Sequence, residues 1–214
     1  MYILNGKPRH GKTSFAKFYK DCKVASSVDK IKEVAKILGW SGTKDPSSRK
    51  FLSDLKDLAT NYNNHSLNYA KELNNEYETV FYDSREPEEI QQLEDEIQGA
   101  FSIFVSNPNI QSSEMGNHAD DNVENHQYDI YLTNDGTVED WQRKAEAFRR
   151  LYITVNNDVE FLNMDTNQYE KCDFIHIGDK ASLLPYRSFK MSARKEVMSG
   201  IVNGLVDKIL RESE

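Results

Sequence analysis

Met1-Tyr2-Ile3-Leu4-Asn5-Gly6-Lys7-Pro8-Arg9-His10-Gly11-Lys12-Thr13-Ser14 is the stretch on which the fold turns. Gly6, Gly11, Lys12 and Thr13 satisfy the spacing G-x-x-x-x-G-K-[ST], in which backbone N–H groups close around a phosphate at the mouth of a helix. Tyr2 to Leu4 is a short apolar run suited to a buried strand. Ser14 to Lys20 can continue as a helix with Phe15, Phe18 and Tyr19 on one side. Strand, loop and helix therefore occur in the order such a loop needs.

Each loop residue has a task on this reading. Gly6 and Gly11 allow turns that a side chain would obstruct and a close approach to phosphate oxygens. Lys12 brings positive charge to the β- and γ-phosphates, and the Thr13 hydroxyl is placed to ligate Mg²⁺. Arg9 is placed to assist with phosphate. His10 and Ser14 complete the expected cofactor-binding set, although Lys7 and His10 read equally well as solvated loop residues.

The chain has 214 residues and a formal net charge of −8, with no dense run of Lys or Arg. That length suits one large α/β domain, or one domain with an appendage, and the charge disfavours nucleic acid as the main partner. Two cysteines, Cys22 and Cys172, lie far apart without metal-type spacing, which suits a reduced intracellular protein. No signal-peptide pattern precedes the first strand and no run of about 18 apolar residues occurs, so the expectation is a cytoplasmic protein without a membrane partner.

Downstream, strand and helix signals alternate. Cys22–Ser26 reads as a strand. Val28, Ile31, Val34, Ala35 and Leu38 recur at helical spacing up to Gly39, with Ser26, Ser27 and Asp29 as candidate caps. A second helical pattern starts at Ser47 with Phe51, Leu52, Leu55 and Leu58 on one face. It is interrupted at Asn61–Asn64 and resumes through Leu67 to Leu73. Lys44 and Arg49 flank its start, where a helix N-terminus suits a phosphate, with simple exposure as the alternative.

Glu78–Asp83 fits a buried central strand that presents Asp83 at its C-terminal end, where ligands of doubly wound sheets bind. Ser84 to Pro87 turn into a helix with Ile90, Leu93 and Ile97 inward, and Phe101–Val105 is a further strand. Ser106–Gln127 is polar and aperiodic, a long loop of the kind that is more often functional than idle. Tyr128–Leu132 is the last strand of the pattern. A turn at Asn134-Asp135-Gly136 follows, then a helix capped by Thr137.

These signals predict a P-loop NTPase three-layer α/β sandwich: a mainly parallel sheet of about five strands, helices on both faces, and a C-terminal extension ending in a helix. Residues 1–150 form the core on this division and 151–214 the extension. Within the extension, Leu151–Val155 and Asp173–Ile177 are strand-like, and Ala193–Leu210 is helical with Val197, Ile201, Leu205 and Ile209 at four-residue spacing. The terminal helix should dock on the core or form a homodimer contact.

With these residues placed, the chain resembles the P-loop nucleoside monophosphate kinases, and among them the phage-type deoxynucleoside monophosphate kinases. The resemblance rests on Gly6–Ser14 with Arg9, on Asp83-Ser84-Arg85-Glu86-Pro87-Glu88-Glu89, which is similar to the family's D-x-R-x-P-x-E, and on Asp129–Thr137 with its N-D-G-[ST] turn. Together these stretches span residues 1 to about 150. The resemblance implies ATP- and Mg²⁺-dependent phosphoryl transfer to a (deoxy)nucleoside monophosphate in the cytoplasm, that of a host cell if phage-encoded.

In that implied mechanism Lys12, Arg9, Asp83 and Arg85 are catalytic. Thr13 and Asp83 serve Mg²⁺, Asn134 and Thr137 lie near the ATP base, and Arg49, Arg85 and Glu89 bind the acceptor. Residue by residue, alternatives stand: Asp83 as a helix cap, Arg85 paired with Glu89, Asn134 and Thr137 as turn and cap. The chain departs from the family in its lid, because Ser106–Gln127 contains no Arg or Lys. An arginine finger is worth roughly 10³-fold or more in rate, so Arg9, Arg85, Arg187 or Arg194 would have to substitute, with His118 and His126 weaker at neutral pH. Two further readings follow: a nucleotide-binding protein with little catalysis that acts through a protein partner, and a P-loop kinase of another small metabolite.

Overall fold

The computed structural model describes residues 1–43, 45–110, 123–151, 153–163, 167–177, 184–185 and 191–213. Lys44, residues 111–122 with His118, and Arg187 lie outside them, as does the side chain of Arg194.

β1 (Tyr2–Asn5) is buried along its whole length and lies in the middle of a five-stranded sheet ordered β2-β3-β1-β4-β5. β2 is Lys23–Ser26, β3 Val80–Asp83, β4 Phe101–Ser106 and β5 Ile130–Thr133, and all four pairings are parallel. Register sets Tyr2 against Phe81 on one side and Phe101 on the other. Parallel strands need helical crossovers, and these cover both faces of the sheet.

On one face α1 (Lys12–Tyr19) and α6 (Val138–Arg149) enclose Tyr2, Phe15, Tyr19, Phe81 and Phe148. On the other, α4 (His65–Glu76) and α5 (Pro87–Glu96) bury Leu67, Leu73, Ile90 and Leu93 against Ile3 and Tyr82. The alternation of Tyr2 and Leu4 with Ile3 between the two clusters follows from the two-residue period of a strand. The α/β sandwich with a parallel sheet expected from the sequence is what the chain forms.

Other expectations are revised. Asp29 does not cap α2 (Asp29–Ile37) from within; its carboxylate accepts from the Ser26 N–H at 2.8 Å. Only Ile31 and Ala35 of α2 are buried, and Val34, Ile37 and Leu38 face solvent. α3 (Pro46–Asn63) buries none of its residues, so the stripe Phe51, Leu52, Leu55 and Leu58 does not enter the core. The Asn-rich interruption is a single left-handed residue, Asn64, at φ 52°, between α3 and α4. Asn tolerates that conformation better than most residues.

The extension forms a second sheet, of which the strand-like stretches Leu151–Val155 and Asp173–Ile177 marked only the start of one strand and the end of the next. β6 (Ile153–Asn163) and β7 (Gln168–Ile177) pair antiparallel from Ile153 opposite Ile177 to Asn163 opposite Gln168, and β8 (Leu184–Pro185) adds to β7. α7 (Met191–Glu212) then returns to the core. Among its described side chains the buried ones are Lys195, Met198, Ser199, Val202 and Val206. Ile201, Leu205 and Ile209 flank this seam, and Val197, expected to lie in it, is exposed.

α7 docks on the core, along edge strand β5. The Tyr131 N–H donates to Ser199 Oγ at 3.0 Å and the Tyr131 carbonyl accepts from Asn203 Nδ2 at 2.9 Å. Main-chain groups that an edge strand would leave open are thus occupied by helix side chains. Among the described residues no helix is long and apolar enough to cross a membrane.

Candidate functional site

The loop from Gly6 to Thr13 joins β1 to α1 at the C-terminal edge of the sheet, the edge at which β3 delivers Asp83 and β4 delivers Ser106. Three residues have positive φ: Gly6 (133°), Arg9 (68°) and Gly11 (103°). At Gly6 the requirement is also steric, since a Cβ there would stand 2.2 Å from the Val105 carbonyl oxygen. The loop therefore lies directly on the end of β4. α1 starts at Lys12 with Gly11 as N-cap, and no side chain caps its first turn.

Lys12 is buried, and its ammonium folds back over the loop to donate to the Gly6 carbonyl and, at 3.1 Å, to the Lys7 carbonyl. Thr13, Ser14 and Arg9 are exposed at the same mouth. Lys7 and His10, read from sequence as equally solvated or ligand-facing, are neither free loop charges. Lys7 pairs with Glu124 at 2.7 Å, and His10 is 7% exposed. His10 Nδ1 accepts from the Asn107 N–H at 3.2 Å, which ties the loop to the end of β4. Burial lowers the His10 pKa, and the Lys12 and Lys7 charges add to that against the opposing Val105 carbonyl, so the ring stays neutral at pH 7.

The loop is also held from the side of α6. Asn134 Nδ2 donates to the His10 carbonyl at 3.1 Å and the Trp141 indole N–H to the Gly11 carbonyl at 3.1 Å. Thr137, which the resemblance would set near a nucleotide base and which also reads as a cap, forms a capping box with Asp140 at the start of α6.

Beneath the loop sits Asn5, fully buried. Its Oδ1 accepts from the Gly6 N–H at 2.7 Å, while its Nδ2 donates to the Tyr128 hydroxyl at 2.7 Å and to the Arg85 carbonyl at 3.3 Å. One side chain thereby joins the Gly6–Thr13 loop, the Asp83–Glu86 turn and the segment leading into β5.

Asp83 does not cap α5, whose N-cap is Glu86 without a side-chain bond. The Asp83 Oδ1 is buried and has no hydrogen-bond partner among the described residues. Arg85 is half-buried on the adjoining turn. Glu89 is occupied by protein: Oε2 accepts from Ser84 Oγ and Lys56 Nζ, at 2.7 and 2.8 Å, and Oε1 accepts from Ser66 Oγ. It acts as a bracket in the wall of a cavity of about 710 Å³ between α3, α4 and the start of α5, lined by Ser53, Lys56, Thr60, Ser66, Glu86 and Glu89 among others. Thr60 Oγ1, on that wall, is buried without a hydrogen-bond partner among the described residues.

No protein-family model matches the chain, and no curated protein matches it.

Arg49, expected at the acceptor phosphate, is exposed on α3 one turn before Ser53. The start of α3 is not an open anion cradle, because the Asp45 carboxylate accepts from the Ser48 N–H at 2.9 Å. The Thr43 hydroxyl and the Ser48 N–H and hydroxyl hold the Asp45 carboxyl well below the usual carboxylate range.

A second polar cluster went unread in the sequence. Lys195 of α7, 2% exposed, donates to Glu94 Oε1 and Oε2 at 3.0 and 2.9 Å and to the Gln127 carbonyl at 2.6 Å. The His126 ring lies 3.4 Å from Glu94 Oε1. Burial alone would raise the Glu94 pKa, but the His126 hydrogen bond, the Lys195 charge and Ser102 outweigh it and hold the carboxyl at about 2. The one available signal was a lysine on the apolar seam of α7.

Proposed function

We propose that the Gly6–Thr13 loop binds the triphosphate of ATP and that the protein transfers its γ-phosphoryl group to a (deoxy)nucleoside monophosphate held in the cavity between α3, α4 and α5. The observation that carries this reading is the meeting at one sheet edge of the glycine-constrained, uncapped helix start, the buried Lys12 ammonium, and Asp83 with a buried oxygen that no described residue satisfies. Such an oxygen is costly unless an external group completes it.

The residues fit a nucleotide with Mg²⁺. The Thr13 hydroxyl and Asp83 would hold the ion, which when bound supplies neutralisation of phosphate charge. Lys12 exchanges two carbonyl partners for phosphate oxygens at a charge-assisted hydrogen-bond distance. Arg9, exposed at the loop crest, and Arg85, two residues after Asp83, would add further positive charge on this reading. On this reading Arg85 orients the acceptor phosphate with its planar fork. Asn134, Trp141 and His10 hold the loop rather than touch the nucleotide, and Glu89 sets Lys56 and Ser66 in the cavity wall.

The cavity volume suits a nucleotide-sized ligand, and the Thr60 hydroxyl, without a hydrogen-bond partner among the described residues, offers it a hydrogen bond. The test is ATP consumption with Mg²⁺ across the common ribo- and deoxynucleoside monophosphates, beside Lys12→Ala. Turnover on one or two monophosphates, lost by at least about 100-fold in Lys12→Ala, supports the kinase. ATP binding without turnover on any acceptor moves the reading to a nucleotide-binding protein, and absence of ATP binding removes both.

A further inference from the structure

The Gly6–Thr13 loop is not seated by the core alone. From α7 inward, Lys195 holds the Gln127 carbonyl and Glu94, Glu94 meets His126, and the His126 ring packs edge-on against Tyr128 with centroids 4.9 Å apart. The Tyr128 hydroxyl donates to the Val123 carbonyl at 2.6 Å and accepts from Asn5 Nδ2, whose other end accepts from the Gly6 N–H. From the same short segment Glu124 reaches Lys7. Residues 123–128 thus form a strap between α7 and the loop, which Lys195 fastens directly through the Gln127 carbonyl and indirectly through Glu94 of α5, the partner of His126.

The members Asn5, Val123, Tyr128, Glu94 and Lys195 are all less than 9% exposed. A buried lysine paired with a buried carboxylate is not an economical way to stabilise a fold, since an apolar pair of the same volume does as well or better. What the ammonium adds over an apolar side chain is a directed bond to the Gln127 carbonyl, one residue before the Tyr128 that fixes Asn5. We propose that Lys195 is a positioning residue of the nucleotide site: through the 123–128 strap it sets Asn5 and Lys7, and the C-terminal extension thereby controls the affinity of the loop for nucleotide. This rests on the reading of that loop as an ATP site.

The experiment is calorimetric titration of the full-length chain with MgATP, well below its melting temperature. The double variant Lys195→Met with Glu94→Gln leaves no unpaired buried charge, and Tyr128→Phe leaves every charge in place. Each variant is expected to remain folded by circular dichroism and to bind MgATP about three- to thirtyfold more weakly, the size of effect typical of residues coupled to a site without touching its ligand. Combined, they should cost little more than the larger single effect, because both act through one strap.

A folded double variant that binds within twofold of the wild type overturns the proposal and reduces Lys195 to a structural ion pair. Should the double variant not fold, Tyr128→Phe decides alone, and wild-type affinity there overturns it equally. If the wild type itself does not bind MgATP, the ATP reading fails and this proposal falls with it; binding by the wild type with unaffected variants removes this proposal only.

Discussion

Gly6 shows how much of the site one residue decides. Its φ of 133° and the Val105 carbonyl oxygen 2.2 Å from where a Cβ would stand forbid any side chain, and the obstacle is backbone that cannot swing aside. Gly6→Ala should therefore cost about 3 kcal/mol or more in urea unfolding, through strain and overpacking together. It should also weaken MgATP binding beyond what the lost stability explains. The turns at Gly6 and Gly11 were readable because glycine is the residue that takes a positive φ without strain, and both have one. Asn5 was not, since an asparagine at the end of an apolar strand carries no spacing rule, and its three partners come from residues 6, 85 and 128. The burial of His10 was hidden for the same reason: its partner Asn107 is 97 residues away.

At the level of elements, the parallel sheet and its crossover helices were legible because each strand is a compact apolar run and each helix keeps its period. The faces of α2 and α3 were misread because periodicity reports an amphipathic helix without saying what covers it. β6 and β7 were marked only in part, at Leu151–Val155 and Asp173–Ile177, for a different reason. Their long antiparallel run, with an irregularity between Asn156 and Val159, mixes Asn, Asp, Glu and Lys with apolar residues, and breaks the alternation that marks a strand.

The contact between α5 and α7 has a measurable acid signature. Glu94 ionises more readily in the fold, at about 2, than at its ordinary value of 4.5. Its contribution to stability is therefore complete above about pH 4.5 and is lost as pH falls toward 2. Thermal melts of the wild type should fall through that window. Glu94→Gln should melt lower at neutral pH and with a flatter slope below pH 4.5, and parallel slopes would show that other carboxylates govern the acid transition.

For the whole molecule, the extension is part of the core. Met198, Val202 and Val206 share one apolar cluster with Phe15 and Phe148, and α7 supplies hydrogen bonds to Tyr131 on edge strand β5. A chain ending at residue 190 would expose both that apolar face and the open edge, the combination that leads to strand-to-strand association. It should be recovered mainly as aggregate, whereas recovery as a monomer with unchanged melting temperature would show that residues 1–190 suffice.

The central position of β1 governs when the sheet can assemble. The first strand of the chain finds its two neighbours only at Val80–Asp83 and Phe101–Ser106. No local hairpin can shelter it in the meantime, and pairing must wait for two long loop closures, which makes folding slow and the early chain vulnerable. A ribosome-bound chain halted before residue 101 should therefore recruit holdase chaperones through the bare flank of β1, and lose them once Phe101–Ser106 has emerged from the exit tunnel.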